Sequence, residues 1–347
     1  MMFKMELYKL FSKKRIFLIL LTGIVLEVIL SMQMKNTMFE GFNSTVYKYY
    51  MEQLEGEYTG EKQAWVEKEY NRLKDLTDNE EEYERQYREN EIGADEYRTI
   101  VNDVKSAKSR IYTMEYILEK SNYYAEADGN PSYYYDIEIS DYIQNMNIDV
   151  ILVVILMLMI LPVFTEDYSA GTIYMVESSK YGKRRLFYCR LKITIMLSAV
   201  LGFVFPVTEF ITKYIRFDLG DLTADISSLM VMGSSGIHMS VGGYLCLTLV
   251  IRIFYTVVLG MVSMWVASRI HNNIAVFAVI SAIVFIPFFI NQYIPVLARH
   301  LLICSGLGIY GVFNTYHTVC GIRTIYFSMI IYCILIMGIV YDLHRKN

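Results

Sequence analysis

The chain contains no G-x-x-x-x-G-K-[ST] loop. Gly182-Lys183 matches the end of that pattern, but the glycine five residues earlier is missing. ATP binding through a glycine-rich phosphate cradle is therefore excluded. Histidine is sparse, and His238, His271, His300, His317 and His344 are scattered. No paired-histidine or C-x-x-C spacing is present, so no metal site is expected. No Ser-His-Asp arrangement can be drawn either, and the chain is not expected to be an enzyme. Of the five cysteines, Cys304 and Cys320 share one loop and could form a disulfide, although free cysteines are the commoner outcome. A cleavable signal is not expected either. Lys13, Lys14 and Arg15 precede an apolar run, but Glu27 sits inside that run and no small-x-small site follows in "SMQMKN".

What the chain has in abundance is apolar surface. Of its 347 residues 54% are hydrophobic, while the charged 20% are bunched rather than spread. This combination suits a multi-span membrane protein with one polar domain. A bilayer span takes about 20 mostly apolar residues. Six stretches qualify: Ile16–Met32, Asp149–Phe164, Ile193–Ile215, Tyr244–Ala267, Ile274–Ile290 and Ile325–Tyr341. Leu297–Phe313 is apolar too, but Arg299, His300 and several glycines interrupt it, so it reads as a re-entrant or interfacial piece.

Lysine and arginine in the loops orient the spans. Lys4, Lys9, Lys13, Lys14 and Arg15 precede the first span, and Lys180 to Lys192 lie between the second and third. Arg269 sits between the fourth and fifth, and Arg345 and Lys346 follow the sixth. With six spans all of these fall on one side, the cytoplasm, and both termini are inside. Residues 33–148 are then extracellular, with 25 acidic and 13 basic residues.

Within that segment Tyr97, Ile100, Val104, Ala107, Ile111, Met114 and Leu118 form one heptad stripe, and Val66, Tyr70, Leu73 and Leu76 form a second. Thr59 is the expected cap of the earlier helix, "LTDNEE" its break, and "ADGNPS" the end of the later one. A helical hairpin follows. It is either an acidic spacer, the usual outcome for charged helices, or a receptor surface offering tyrosine faces to a cationic or amphiphilic substrate.

Three charges fall inside spans. Glu27 lies roughly 16 Å along the first span and Arg252 at a similar depth in the fourth. Glu209 lies nearer the outer end of the third. Isolated charges there are expensive and seek partners. Glu27 and Arg252 are expected either to pair or to line a polar path.

The stretch between the second and third spans carries a family resemblance. Phe164, then Glu166 five residues before Gly171-Thr172, then Ser178, Ser179 and the Gly182-Lys183-Arg184 cluster resemble the first cytoplasmic loop of type 2 ABC transporter permeases. The start also fits, because Phe3, Leu7, Leu10 and Phe11 make one apolar face with lysines around it. The chain departs in its Lys183-Arg184-Arg185 run, where many members carry Pro-(Ser/Thr)-Arg. The resemblance implies an all-α integral membrane protein of the bacterial plasma membrane. Residues 1–32 would be an amphipathic helix and first span, 33–148 the extracellular domain, and 149–347 spans two to six with a coupling loop at 165–190. It implies a dimer of permease subunits working with a separate ATP-binding cassette ATPase that holds ATP and Mg. Glu166, Asp167, Gly171, Thr172, Lys183 and Arg184 would contact or transmit to that ATPase. Membrane lipid is an expected partner and nucleic acid is not. The implied function is export, or extraction from the outer leaflet, of a hydrophobic or amphiphilic compound such as an antimicrobial peptide. A non-transporting sensor or scaffold, with the outer hairpin as its binding surface, is the alternative.

Overall fold

The computed structural model describes residues 2–11, 14–33, 41–169, 182–270, 272–290, 293–308, 313, 317–319 and 322–346. In chain order its helices are α1 (Met2–Phe11), α2 (Lys14–Ser31), α3 (Ser44–Leu54), α4 (Gly60–Asp78), α5 (Glu80–Arg88), α6 (Ala94–Glu126) and α7 (Ile137–Gln144). Then come α8 (Val150–Ser169), α9 (Gly182–Arg216), α10 (Val241–Ala267), α11 (Asn273–Phe289), α12 (Val296–Arg299), α13 (Ile303–Leu307) and α14 (Thr324–Lys346). Strand is confined to two-residue pieces among the described residues. β1 (Gly56–Glu57) pairs antiparallel with β2 (Ser132–Tyr133), and β3 (Thr318–Val319) with β4 (Ile322–Arg323). The fold class is all-α.

The chain divides into two compact units. One comprises Met1–Met34, Tyr142–Phe217 and Leu245–Asn347. The other comprises Lys35–Asp141 and Asp218–Tyr244.

The first unit is apolar. Each of the six stretches expected to span is a helix: α2, α8, α9, α10, α11 and α14. Three are long and apolar enough to cross a membrane, over Arg184–Arg216, Val241–Ala267 and Thr324–Arg345. The apolar parts of α8 (Val150–Thr165) and of α11 are shorter. In α2 the 18 residues include Lys14, Arg15 and Glu27. The exposed surface is the reverse of a water-soluble protein's. Phe17, Leu18, Leu21 and Val25 on α2 are exposed, as are Ile330, Ile334, Met337 and Tyr341 along one face of α14. Large apolar patches of this kind mark contact with membrane or protein. Inside, α9 packs against α1, α2 and α8. Gly202 and Gly260 allow close approach between α9 and α10, since a Cβ at Gly260 would lie 2.0 Å from Ser198 Oγ. Among its described residues the interrupted segment after α11 forms the short helices α12 and α13.

The second unit is polar outside and tyrosine-rich inside. Thr59 Oγ1 accepts from Lys62 N and caps α4, as the sequence predicts. α4 buries Val66 and Leu73 against α6, which buries Val104, Ala107 and Met114. Beyond Met114 the buried face of α6 keeps Ser121 on the heptad register but widens off it to Ile117, Lys120 and Tyr124. A straight helix drifts by ~20° per heptad relative to a strict seven-residue repeat, so a long heptad stripe rotates out of contact. Residues 218–244, which the sequence places among the spans, belong to this unit. Val241 N donates to Ala224 O at 2.9 Å and Ile226 N to Met239 O at 2.9 Å, closing that segment on itself. Tyr123 and Tyr124 then donate to the Ser227 and Ser228 carbonyls at 2.9 and 2.8 Å. Gly220 has φ +66°, and a Cβ there would lie 2.4 Å from Tyr135 O, so this contact needs glycine.

Candidate functional site

In the first unit, α9 and α10 bring Glu209 and Arg252 together. Arg252 Nη1 donates to Glu209 Oε2 at 3.0 Å. Lys213, one turn along α9, donates to Glu209 Oε1 at 3.1 Å. The three side chains are 5%, 13% and 8% exposed for Arg252, Glu209 and Lys213, so these are buried charges. Arg252 Nη2 also donates to Asn147 O at 3.3 Å, and Lys213 Nζ lies 4.5 Å from the Tyr142 ring centroid. Asp149 sits beside them and caps α8, accepting from Leu152 N at 2.7 Å. Its other carboxylate oxygen is buried without a hydrogen-bond partner, as is Arg252 Nε.

This differs from the expected pairing of Glu27 with Arg252. Glu27 is buried on α2 and accepts from Ser31 Oγ at 3.3 Å, one turn along its own helix. It lies within electrostatic reach of Asp149, Glu209 and Arg252, but the guanidinium bonds Glu209. Similar depth along two helices fixes only one coordinate of a contact. The angle around each helix decides the rest, and α10 turns Arg252 toward α9. The cluster thus holds three carboxylates, Glu27, Asp149 and Glu209, and two cations, Lys213 and Arg252. All three charges singled out from the sequence belong to it. Lys213, Asp149, Asn147 and Tyr142 were not anticipated. Only Glu209-x-x-x-Lys213, an i,i+4 pair of opposite charges, offered a sequence signal.

The expected coupling loop lies mostly outside the described residues. Gly171 and Thr172 fall there. Glu166 and Asp167 stand on the last turns of α8, and Lys183 on the first turn of α9, with their side chains outside the description. Helix therefore covers both ends of the 165–190 segment. Arg184 is described: its Nη2 lies 3.0 Å from His344 Nε2, and Tyr188 OH lies 3.2 Å from His344 Nδ1. A guanidinium only donates, so Nε2 accepts and Nδ1 carries the proton. The start of α9 is thereby tied to the end of α14. A second tie joins α10 to α14, where Trp265 Nε1 donates to Asp342 Oδ2 at 3.0 Å and Arg269 pairs with the same oxygen.

The tyrosines of the second unit are largely engaged internally. Lys120 is fully buried and its ammonium lies 2.7 Å from Asp136 Oδ1. It donates to Tyr47 OH at 2.8 Å, and Tyr47 donates to Asp136 Oδ1 at 2.5 Å. The rings of Tyr47, Tyr124 and Tyr134 surround the ammonium at 5.6, 5.6 and 6.0 Å. Burial pushes the Lys120 ammonium below the ordinary lysine value while the Asp136 charge opposes the shift. Burial, and then the Asp136 charge, hold the Tyr47 phenol well above its usual range. The cation-binding box that a tyrosine-rich surface suggests is thus filled by the chain's own lysine. An open pocket at the surface, lined by Gln53, Leu54, Glu61, Lys62 and Trp65, offers no free cation. Lys62 Nζ donates to the Glu55 and Glu57 carbonyls at 2.9 Å each.

Fold and cluster together define an all-helical protein whose apolar helices fit a membrane protein. No family model, curated protein or solved structure matches the chain.

Proposed function

We propose that the chain is the permease subunit of an ATP-driven transporter, moving a hydrophobic or amphiphilic compound while a separate subunit hydrolyses ATP. In this reading α2, α8, α9, α10, α11 and α14 are six spans of a bacterial plasma-membrane protein. Both termini are cytoplasmic and the tyrosine-rich unit is extracellular. The observation that carries it is the order of features between α8 and α9. An acidic pair ends one apolar helix, Gly171-Thr172 follows, and a basic cluster opens the next helix. Positive-inside topology accounts for the basic cluster alone, but not for the acid–Gly-Thr order. The ties from Arg184 and Tyr188 to His344 support the same reading, since force delivered at the start of α9 would reach α14 directly.

Transport energy must then arrive from a partner ATPase, because the chain has no P-loop. The test is affinity purification of the tagged chain from native membranes, with mass spectrometry and an ATPase assay on the complex. Recovery of a P-loop subunit with hydrolytic activity is expected. A chain that purifies without one is a sensor or scaffold instead.

A further inference from the structure

The segment between α11 and α14 holds a polar group that the permease reading does not use. His300 lies between α12 and α13 and is 1% exposed, yet neither of its ring nitrogens has a hydrogen-bond partner. Its place is fixed by its neighbours. Tyr332 OH donates to Leu301 O at 2.7 Å, and Ser305 Oγ donates to Arg299 O at 2.6 Å. Gly306 lies against the Tyr255 ring so closely that a Cβ would come within 2.3 Å of it. The imidazole is therefore held inward by packing around it rather than by bonds of its own. Two further groups stand beside it. The His317 ring is 5.7 Å away between centroids, and the Arg299 charge is within electrostatic reach. Arg299 Nη2 is spent on Ile294 O at 3.2 Å, but its Nε is buried and unpartnered.

An orphaned guanidinium N–H, an orphaned buried imidazole and a second imidazole are complementary to an oxyanion. A phosphate offers several strong acceptor oxygens in different directions, which suits donors on three separate residues. A metal ion would suit the two histidines but would meet the guanidinium as a like charge. We propose that Arg299, His300 and His317 bind the phosphate group of an amphiphile whose apolar tail lies along the helices of this unit. The exposed apolar residues Ile286 and Phe289 at the end of α11 provide surface for such a tail. The inference concerns binding by the chain itself and does not depend on the ATPase, so its failure is separate from failure of the transport reading.

The experiment uses the full chain purified in a neutral maltoside detergent. Binding of short-chain phosphatidic acid, of inorganic phosphate and of uncharged short-chain diacylglycerol is measured by thermal shift and equilibrium dialysis. The expected order is phosphatidic acid first, with diacylglycerol without effect. Arg299→Met and His300→Leu should each weaken phosphatidic acid at least about tenfold, the scale of one lost charge-assisted hydrogen bond. His300→Leu should also melt no lower than the parent in the absence of ligand, because it removes an unpartnered polar group from a packed site. Arg299→Met reads the proposal independently should His300→Leu fail to fold. Inorganic phosphate binding as tightly as phosphatidic acid would assign the site to the free ion rather than a headgroup and would overturn the amphiphile. Equal binding by parent and variants, or a shift with zinc alone, would overturn the phosphate site altogether.

Discussion

Removing one end of a buried ion pair leaves the other charge without compensation, and the Glu209 cluster turns this into a measurement. Glu209→Gln strands both Arg252 and Lys213 and should lower stability in detergent by about 3 to 5 kcal/mol. Arg252→Met in the same chain should restore part of the loss. The double-mutant cycle for Glu209 with Arg252 should give a coupling of about 1 to 3 kcal/mol, and the cycle for Glu27 with Arg252, which share no hydrogen bond, a smaller one. Coupling confined to the Glu27 cycle would contradict the observed geometry. At this scale the sequence names the right charges and the wrong partner. Glu27, Glu209 and Arg252 are legible because charge in an apolar run is rare and expensive. Their azimuths are not, because the rotation of each helix is set by packing along its whole length. Lys120 was hidden for a related reason. It lies on the inner face of a helix whose heptad phase has drifted, beside the ring of Tyr124 on its own helix and rings that arrive from Tyr47 on α3 and from Tyr134.

Among the elements, α4 and the first two-thirds of α6 follow from residue pattern alone. Thr59, Val66, Leu73, Val104 and Ala107 all do what their spacing requires. The addition of residues 218–244 to the same unit could not be read, since it depends on tyrosine hydroxyls reaching backbone carbonyls some hundred residues away. Those hydroxyls make the unit sensitive to alkali. Burial holds the Tyr47, Tyr124 and Tyr134 phenols well above the usual tyrosine value, and pushes Tyr133 up to about 12. In the unfolded chain they ionise near pH ~10. Above that pH the unfolded chain binds fewer protons than the folded one, so stability falls as pH rises. Lys120, shifted down, acts in the opposite sense below about pH 10.5 and contributes nothing further above it. The alkaline limb therefore belongs to the phenols. The melting temperature of the purified chain should decline steadily above about pH 10, and tyrosinate absorbance should show buried phenols ionising only as helicity is lost. Titration of all thirty tyrosines near the ordinary value with full helicity would refute this account.

For the whole molecule, the six-span reading fixes which parts face the cytoplasm, and thiol labelling can check it. Cysteines introduced at the exposed positions Glu61 and Glu89 should react with an impermeant reagent on intact cells. One at Arg184 should react only after permeabilisation. The reverse pattern would invert the topology and remove the α8–α9 segment from the side where ATP is available. With that orientation, the segment from Glu166 to Arg184 is the place to separate coupling from folding. Gly171→Val puts a β-branched side chain where a tight turn is expected, and Glu166→Lys reverses a charge expected to face the ATPase or to hold the basic cluster of its own segment. Neither position lies in the apolar interior of a span, so both variants should insert and accumulate near parent levels. Both should lose most substrate-stimulated ATP hydrolysis in the assembled complex. His344→Ala offers a graded companion, because it cuts the ties from Arg184 and Tyr188 to α14 while leaving the segment itself intact. Exposed contacts of this kind add less than about 1 kcal/mol to stability, so the chain should stay folded. Its basal hydrolysis should persist, and stimulation by substrate should fall, because substrate bound among the spans would no longer act firmly on the start of α9. Parent-like stimulation in Gly171→Val and Glu166→Lys, with the ATPase still bound, would leave the basic cluster with topology as its only role.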